Sequence, residues 1–243
     1  MLSTAFKSLG LDHFLDHLNG HARRLIFGNM INAIGMGLTM TLFLVYLNTI
    51  RGFSGGFSGL VMSYMAVFAM VINPLIGILI DKYGGRIVLI FGLFIKAVGV
   101  FSLAFVQSKP QVIAVATILA IGDAANWPAQ TVCLTRMVEE EARQKVFAFN
   151  FMALNLGIGI GGILSALIVT AGELSTYQRL YWMDSITYLI YAAFAISLPV
   201  WAGQRLNKED KQSGSYREVF KNKELMKLSR ASVLLVLFGY ASV

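Results

Sequence analysis

The chain is poor in what a soluble domain needs. Only 14% of its 243 residues are charged, whereas water-soluble domains carry about a quarter. Such a chain has too little charge to wet its surface in water. It has one cysteine, Cys133, which excludes an internal disulfide; set in an apolar run, it reads as a small buried residue rather than a reactive thiol. Its three histidines, His13, His17 and His21, follow i, i+4, i+8 spacing and could share a helical face. With no cysteine nearby they read as solvated, and no metal or cofactor is expected. The sequence also lacks a metal-ligand helix motif, a nucleophile elbow and a phosphate-binding glycine loop. Those absences argue against an enzyme.

What the chain has is apolar length. Hydrophobic residues make up 56% of it. A transmembrane helix needs roughly 20 mostly apolar residues. Runs that qualify extend over Leu25 to Leu47, Ser58 to Ile80, Ile87 to Val106, Gln111 to Leu134, Val146 to Ala171 and Leu180 to Ala202. Another opens at Ala231 and is still running at Val243. The expected class is an all-α integral membrane protein with six spans and the start of a seventh. No short apolar stretch with a small-residue cleavage site opens the chain, so no run reads as a secretory signal.

The net charge of +7 does not form a nucleic-acid patch. Basic residues fall in clusters between the runs: Lys7, Arg23 and Arg24; Lys82 and Arg86; Arg136, Arg143 and Lys145; then eight from Arg205 to Arg230. The opposite turns hold only Arg51, Lys109 and Arg179. The positive-inside rule therefore puts the N-terminus in the cytoplasm, most simply of a bacterial inner membrane. The expected organisation is an amphipathic cytoplasmic segment over 1–23, a six-helix bundle over 24–202, a cytoplasmic connector over 203–229 and the beginning of a seventh helix over 230–243.

The stretch GILIDKYGGR, Gly77 to Arg86, separates the second and third runs. Gly84 and Gly85 suit a turn, and Lys82 and Arg86 suit the basic side of the membrane. Asp81 is different, because a helix C-terminus disfavours an anion. It needs a partner, either Arg86 or the N-terminus of another helix. Gly77, Leu79, Asp81, Lys82, Gly84, Arg86 and Leu89 fall where the major facilitator superfamily of transporters has its signature between helices two and three. The sequence resembles that family, with Gly85 in place of one basic residue. The resemblance implies half of a transporter, whose aspartate latches the cytoplasmic gate against a helix of a second six-helix half beyond Val243. Two other family patterns fit less well: Ile118 stands where proton-coupled members have an arginine, and Gly162 stands where drug antiporters have a proline. Gly157, Gly161 and Gly162 read better as helix packing.

Ionisable residues inside a span are functional hypotheses by default. Lys96 and Asp123 lie at equal distance from the turn between the third and fourth runs, so their depths match. They read either as a structural ion pair or as a proton-coupling site centred on Asp123. Asp184, among Tyr181, Trp182 and Tyr188, reads as an interfacial residue near water. Asn29, Asn32, Asn126, Asn150 and Asn155, with Asn73 beside Pro74, are amides in the spans. They suit either interhelical hydrogen bonds or the cavity that helices one, two, four and five line in the family. Together these features predict a secondary transporter in the bilayer, exporting lipophilic or amphipathic small molecules against protons. A lipid or lysolipid flippase of the same fold, or a non-transporting receptor or scaffold, are the alternatives.

Overall fold

A computed structural model of the protein describes residues 19–204 and Lys227. The segment 1–18, with His13 and His17, most of the connector and the stretch 230–243 lie outside the described residues.

Among the described residues six long helices follow in order: α1 (Gly20–Met40), α2 (Gly55–Tyr83), α3 (Gly85–Leu103), α4 (Lys109–Met137), α5 (Glu140–Ile168) and α6 (Leu174–Ile196). After a break at Thr41 and Leu42, α1 is prolonged by Phe43–Val45 and a π-helical turn, Tyr46–Ile50. A short 3₁₀ turn, Val200–Gly203, follows α6.

Local chemistry sets the boundaries. Asn19 caps α1, its side chain accepting from the amides of His21 and Ala22 at 3.0 and 2.9 Å. Its own amide group donates to the Met137 carbonyl at 2.7 Å, which ties the start of α1 to the end of α4. The first helix thus begins at Gly20, ahead of the boundary expected from apolar content. Ser108 and Gln111 form a capping box at the start of α4, satisfying amides that the first turn leaves free. Gly84 ends α2 at φ +91°, where an L side chain is strained.

Five helices are long and apolar enough to cross a membrane among the described residues: α1 with its extension, and α2 through α5. At 23 residues α6 has the length of a sixth span. Its apolar average is lower because Asp184, Ser185 and four tyrosines sit in it, all buried.

The helices pack in a chain of neighbours: α5 on α1, α1 on α6, α6 on α3, α3 on α4, and α4 on α2. Exchanging α1 with α4, α2 with α5 and α3 with α6 maps this list onto itself. That is the pattern of two three-helix repeats, a common plan among membrane transporters. The outermost pair in this order is also the least covered. Only 11% of the apolar window of α2 and 22% of that of α5 is buried, against 50% in α3 and α4.

Glycine sets the closeness of two of the crossings. In α3, Gly85, Gly92 and Gly99 recur every seven residues and face α4. A Cβ at Gly92 would lie 2.7 Å from that of Ala125, and one at Gly99 2.9 Å from a methyl of Leu119. At Gly85 it would lie 3.0 Å from the Ala129 carbonyl, so the basic residue of the family pattern has no room there. On α5, a Cβ at Gly157 would meet Ala33 at 2.6 Å, and one at Gly161 would strike the Ile34 carbonyl. Gly162, expected among the packing glycines, is turned away from α1, and a Cβ there would meet nothing within 4 Å.

Filling these contacts tests the packing. Gly157→Leu should lower the melting temperature of purified protein or prevent its accumulation, since forcing side-chain volume into a packed seam costs about 1–3 kcal/mol or more. Gly162→Ala should leave the melting curve within about 0.5 kcal/mol of the parent. Equal losses from both variants would sink the assignment.

Candidate functional site

The close α3–α4 crossing brings two charges together. Gly122 lies under Lys96, and a Cβ there would be 2.9 Å from the lysine Cβ. The ammonium is thereby set against Oδ2 of Asp123, the next residue, and the two form an ion pair. The partners differ in exposure: the lysine side chain is 11% exposed and the aspartate 48%. The Tyr188 ring lies beyond the ammonium, its centroid 6.0 Å from Nζ. Tyrosine and carboxylate together give the lysine charge the surroundings that low dielectric otherwise denies it.

Both charges line a cavity of about 330 Å³ between α1, α2, α3, α4 and α6. Met36, Met40, Met62 and Met65 supply four thioethers from α1 and α2, and Phe43, Tyr181 and Tyr188 supply rings. Asp184 also lines it. That overturns the interfacial expectation for this residue, which is 1% exposed. Thr39 of α1 donates to its Oδ2 at 2.6 Å, while Oδ1 is buried with no hydrogen-bond partner. Gly35 makes the approach possible, since a Cβ there would lie 2.7 Å from that same Oδ1. A signal for this placement lay in the sequence. Tyr177, Tyr181, Asp184, Tyr188 and Tyr191 alternate at spacings of four and three, which is a buried helical seam rather than an aromatic belt.

The amides divide. Asn150 of α5 accepts from Asn29 of α1 at 3.0 Å and from Gln130 of α4 at 3.1 Å, all three buried. Sequence reading missed Gln130, although it lies seven residues after Asp123 on the same helical stripe. Asn32 is buried and Asn126 half-buried, each with a carbonyl oxygen that finds no partner. Asn155 is not brought into the cluster. It is exposed on α5 and donates to the Phe151 carbonyl of its own helix at 2.7 Å.

At the other end of the bundle, the α2–α3 turn does not pair Asp81 with Arg86. The Arg86 guanidinium donates instead to the last carbonyls of α6, to Ala195 at 3.3 Å and Ile196 at 2.6 Å. A cation there satisfies carbonyls that the helix leaves free and complements its dipole. Asp81 is exposed at the end of α2, as are Leu79 and Lys82; the Lys82 ammonium lies 5.1 Å from the Tyr83 ring centroid. A Cβ at Gly77 would meet nothing within 4 Å. The side of the motif that carries Gly77 and Asp81 thus looks outward from the bundle.

The ion pair predicts a non-additive pair of variants. Lys96→Leu alone should lower stability by about 3–5 kcal/mol if the remaining carboxylate stays charged in a dry site, less in proportion to the water that reaches it. Lys96→Leu with Asp123→Leu should recover most of that loss, read as the midpoint of denaturation in detergent micelles. Strictly additive losses would show that the two side chains do not depend on each other.

A sequence model described as Major Facilitator Superfamily matches residues 25–243. The chain is 28% identical over 160 residues to the multi-drug resistance efflux pump PmrA homolog of Lactococcus lactis, covering 63% of this chain and 39% of that protein. It is 25% identical over 167 residues to the uncharacterized MFS-type transporter YttB of Bacillus subtilis, covering 69% and 41%. It is 26% identical over 145 residues to the quinolone resistance protein NorA of Staphylococcus aureus, covering 58% and 37%. These matches span about two fifths of each relative's length. With its apolar helices and a family match over nearly all its residues, the chain is an integral membrane protein of the major facilitator superfamily.

Proposed function

We propose that the chain supplies the N-terminal bundle of a proton-coupled exporter of lipophilic or amphipathic small molecules, working by alternating access. The observation that carries this reading is the cavity. Four methionines give it an apolar wall that adapts to different shapes, as promiscuous binding surfaces do. A half-exposed carboxylate, Asp123, stands in the same space, paired with a lysine. The names of two relatives, a multidrug efflux pump and a quinolone resistance protein, point the same way.

In this reading a second six-helix bundle packs on the uncovered faces of α2 and α5. Asp81, exposed at the end of α2, meets the positive end of a helix in that bundle and latches the cytoplasmic side. Arg86 serves the latch indirectly by fixing the turn to α6. The N-terminus lies in the cytoplasm, following the basic clusters. Rocking of the two bundles exposes the cavity alternately to either side, and its acidic groups exchange protons as water enters. Asn29, Gln130 and Asn150 hold α1, α4 and α5 together below it.

Ethidium, a lipophilic cation, serves as the probe. Protein in proteoliposomes should move ethidium when a pH gradient is imposed and stop when an ionophore collapses it. Asp123→Asn, which leaves the Lys96 charge without its partner in the cavity, should lower the gradient-driven rate by about tenfold or more, equivalent to ~1.4 kcal/mol. Transport indifferent to the gradient would remove proton coupling. Flux of a fluorescent lysolipid in place of ethidium would favour a flippase.

A further inference from the structure

We infer that Asp184, and not Asp123, is the residue of this cavity that carries the exchangeable proton; this rests on the proton-coupled reading above. The cavity holds two carboxyl groups and one ammonium, so with every group ionised it keeps one uncompensated negative charge. Lys96 spends its charge on Asp123. Asp123 is half exposed and can draw on water for its remaining lone pairs. Asp184 has neither resource. It is 1% exposed, makes no ion pair among the described residues, and has one carboxyl oxygen without a hydrogen-bond partner, the nearby Thr187 hydroxyl donating to the backbone carbonyl of Asp184. An ionised carboxylate so placed is far costlier than a neutral acid.

The hydroxyl of Thr39 donates to Asp184 Oδ2 at 2.6 Å, which leaves Oδ1, the oxygen without a partner, to carry the proton. The groups facing Asp184 are few: from α1 only Thr39, which does not titrate; from α3 Lys96; from α4 Asp123; and from α6 itself Thr187, which does not titrate, with Tyr181 and Tyr188. None of the neighbours offers a second cation. The proton arrives from hydronium, leaving water, and returns to water when the helices part. The carboxylate it leaves then competes with Asp123 for Lys96.

The test is infrared difference spectroscopy of the aspartate-labelled protein in lipid vesicles across a pH series, with ethidium flux measured on the same preparations. The parent should show a protonated-carboxyl band at neutral pH that disappears as pH rises. Asp184→Asn should abolish the band and the gradient-driven accumulation of ethidium. Lys96→Leu with Asp123→Leu should keep the band. A band that survives Asp184→Asn, or that vanishes in the double variant alone, overturns the inference. Should Asp184→Asn fail to accumulate, Thr39→Val decides: the band should move to higher frequency, and an unmoved band overturns it. If the band follows Asp184 but no ethidium flux responds to pH, the exporter reading falls and the protonated acid stands.

Discussion

The low dielectric of the bilayer is the constraint from which the interior of this bundle follows. A charge placed there must be met by another group within a few ångströms, and side chains reach that far only if their helices nearly touch. The glycines at 85, 92 and 99 of α3, with Gly122 of α4, provide that closeness. Larger residues would separate the axes, and Lys96 would lose Asp123. Gly35 performs the same service for Asp184 and Thr39. Small residues are in this sense part of the electrostatics, though they carry no charge.

The two-repeat arrangement explains where polarity is concentrated. The helices most enclosed, α1, α3, α4 and α6, carry Asn29, Thr39, Lys96, Asp123, Gln130 and Asp184. The peripheral α2 and α5 add two methionines to the cavity wall and Asn150 to the amide cluster; their remaining surface is largely aliphatic. Opposite ends of the bundle are closed by similar chemistry. At one, Arg51 and Gln178 donate to the Ala104 carbonyl at the end of α3, at 2.5 and 2.9 Å, and Tyr46 donates to that of Leu103. At the other, Arg86 donates to the end of α6. Both repeats finish with a helix whose free carbonyls meet a guanidinium.

Much of this was legible in the sequence. Apolar length located the helices, and equal depth on antiparallel helices paired Lys96 with Asp123. The turn motif identified the family resemblance. Less legible was anything decided by rotation about a helix axis. Asp184 was read by its flanking aromatics rather than by their spacing, which hides it in a seam. Gln130 carried no motif, and its role depends on Asn29 and Asn150 arriving from two other helices. Gly162 sits next to Gly161 in the chain, yet a turn of about 100° between neighbours takes it off the crossing. Arg86 matched the motif while its side chain went to a helix more than a hundred residues later.

That last contact has a mechanical consequence. Arg86 clamps the hinge between α2 and α3 to the terminus of α6, and a Cβ on Gly84 would collide with the Gly203 carbonyl just beyond it. The end of α2 and the helix bearing Asp184 are therefore joined at this end of the bundle, about three turns along α6 from the buried acid.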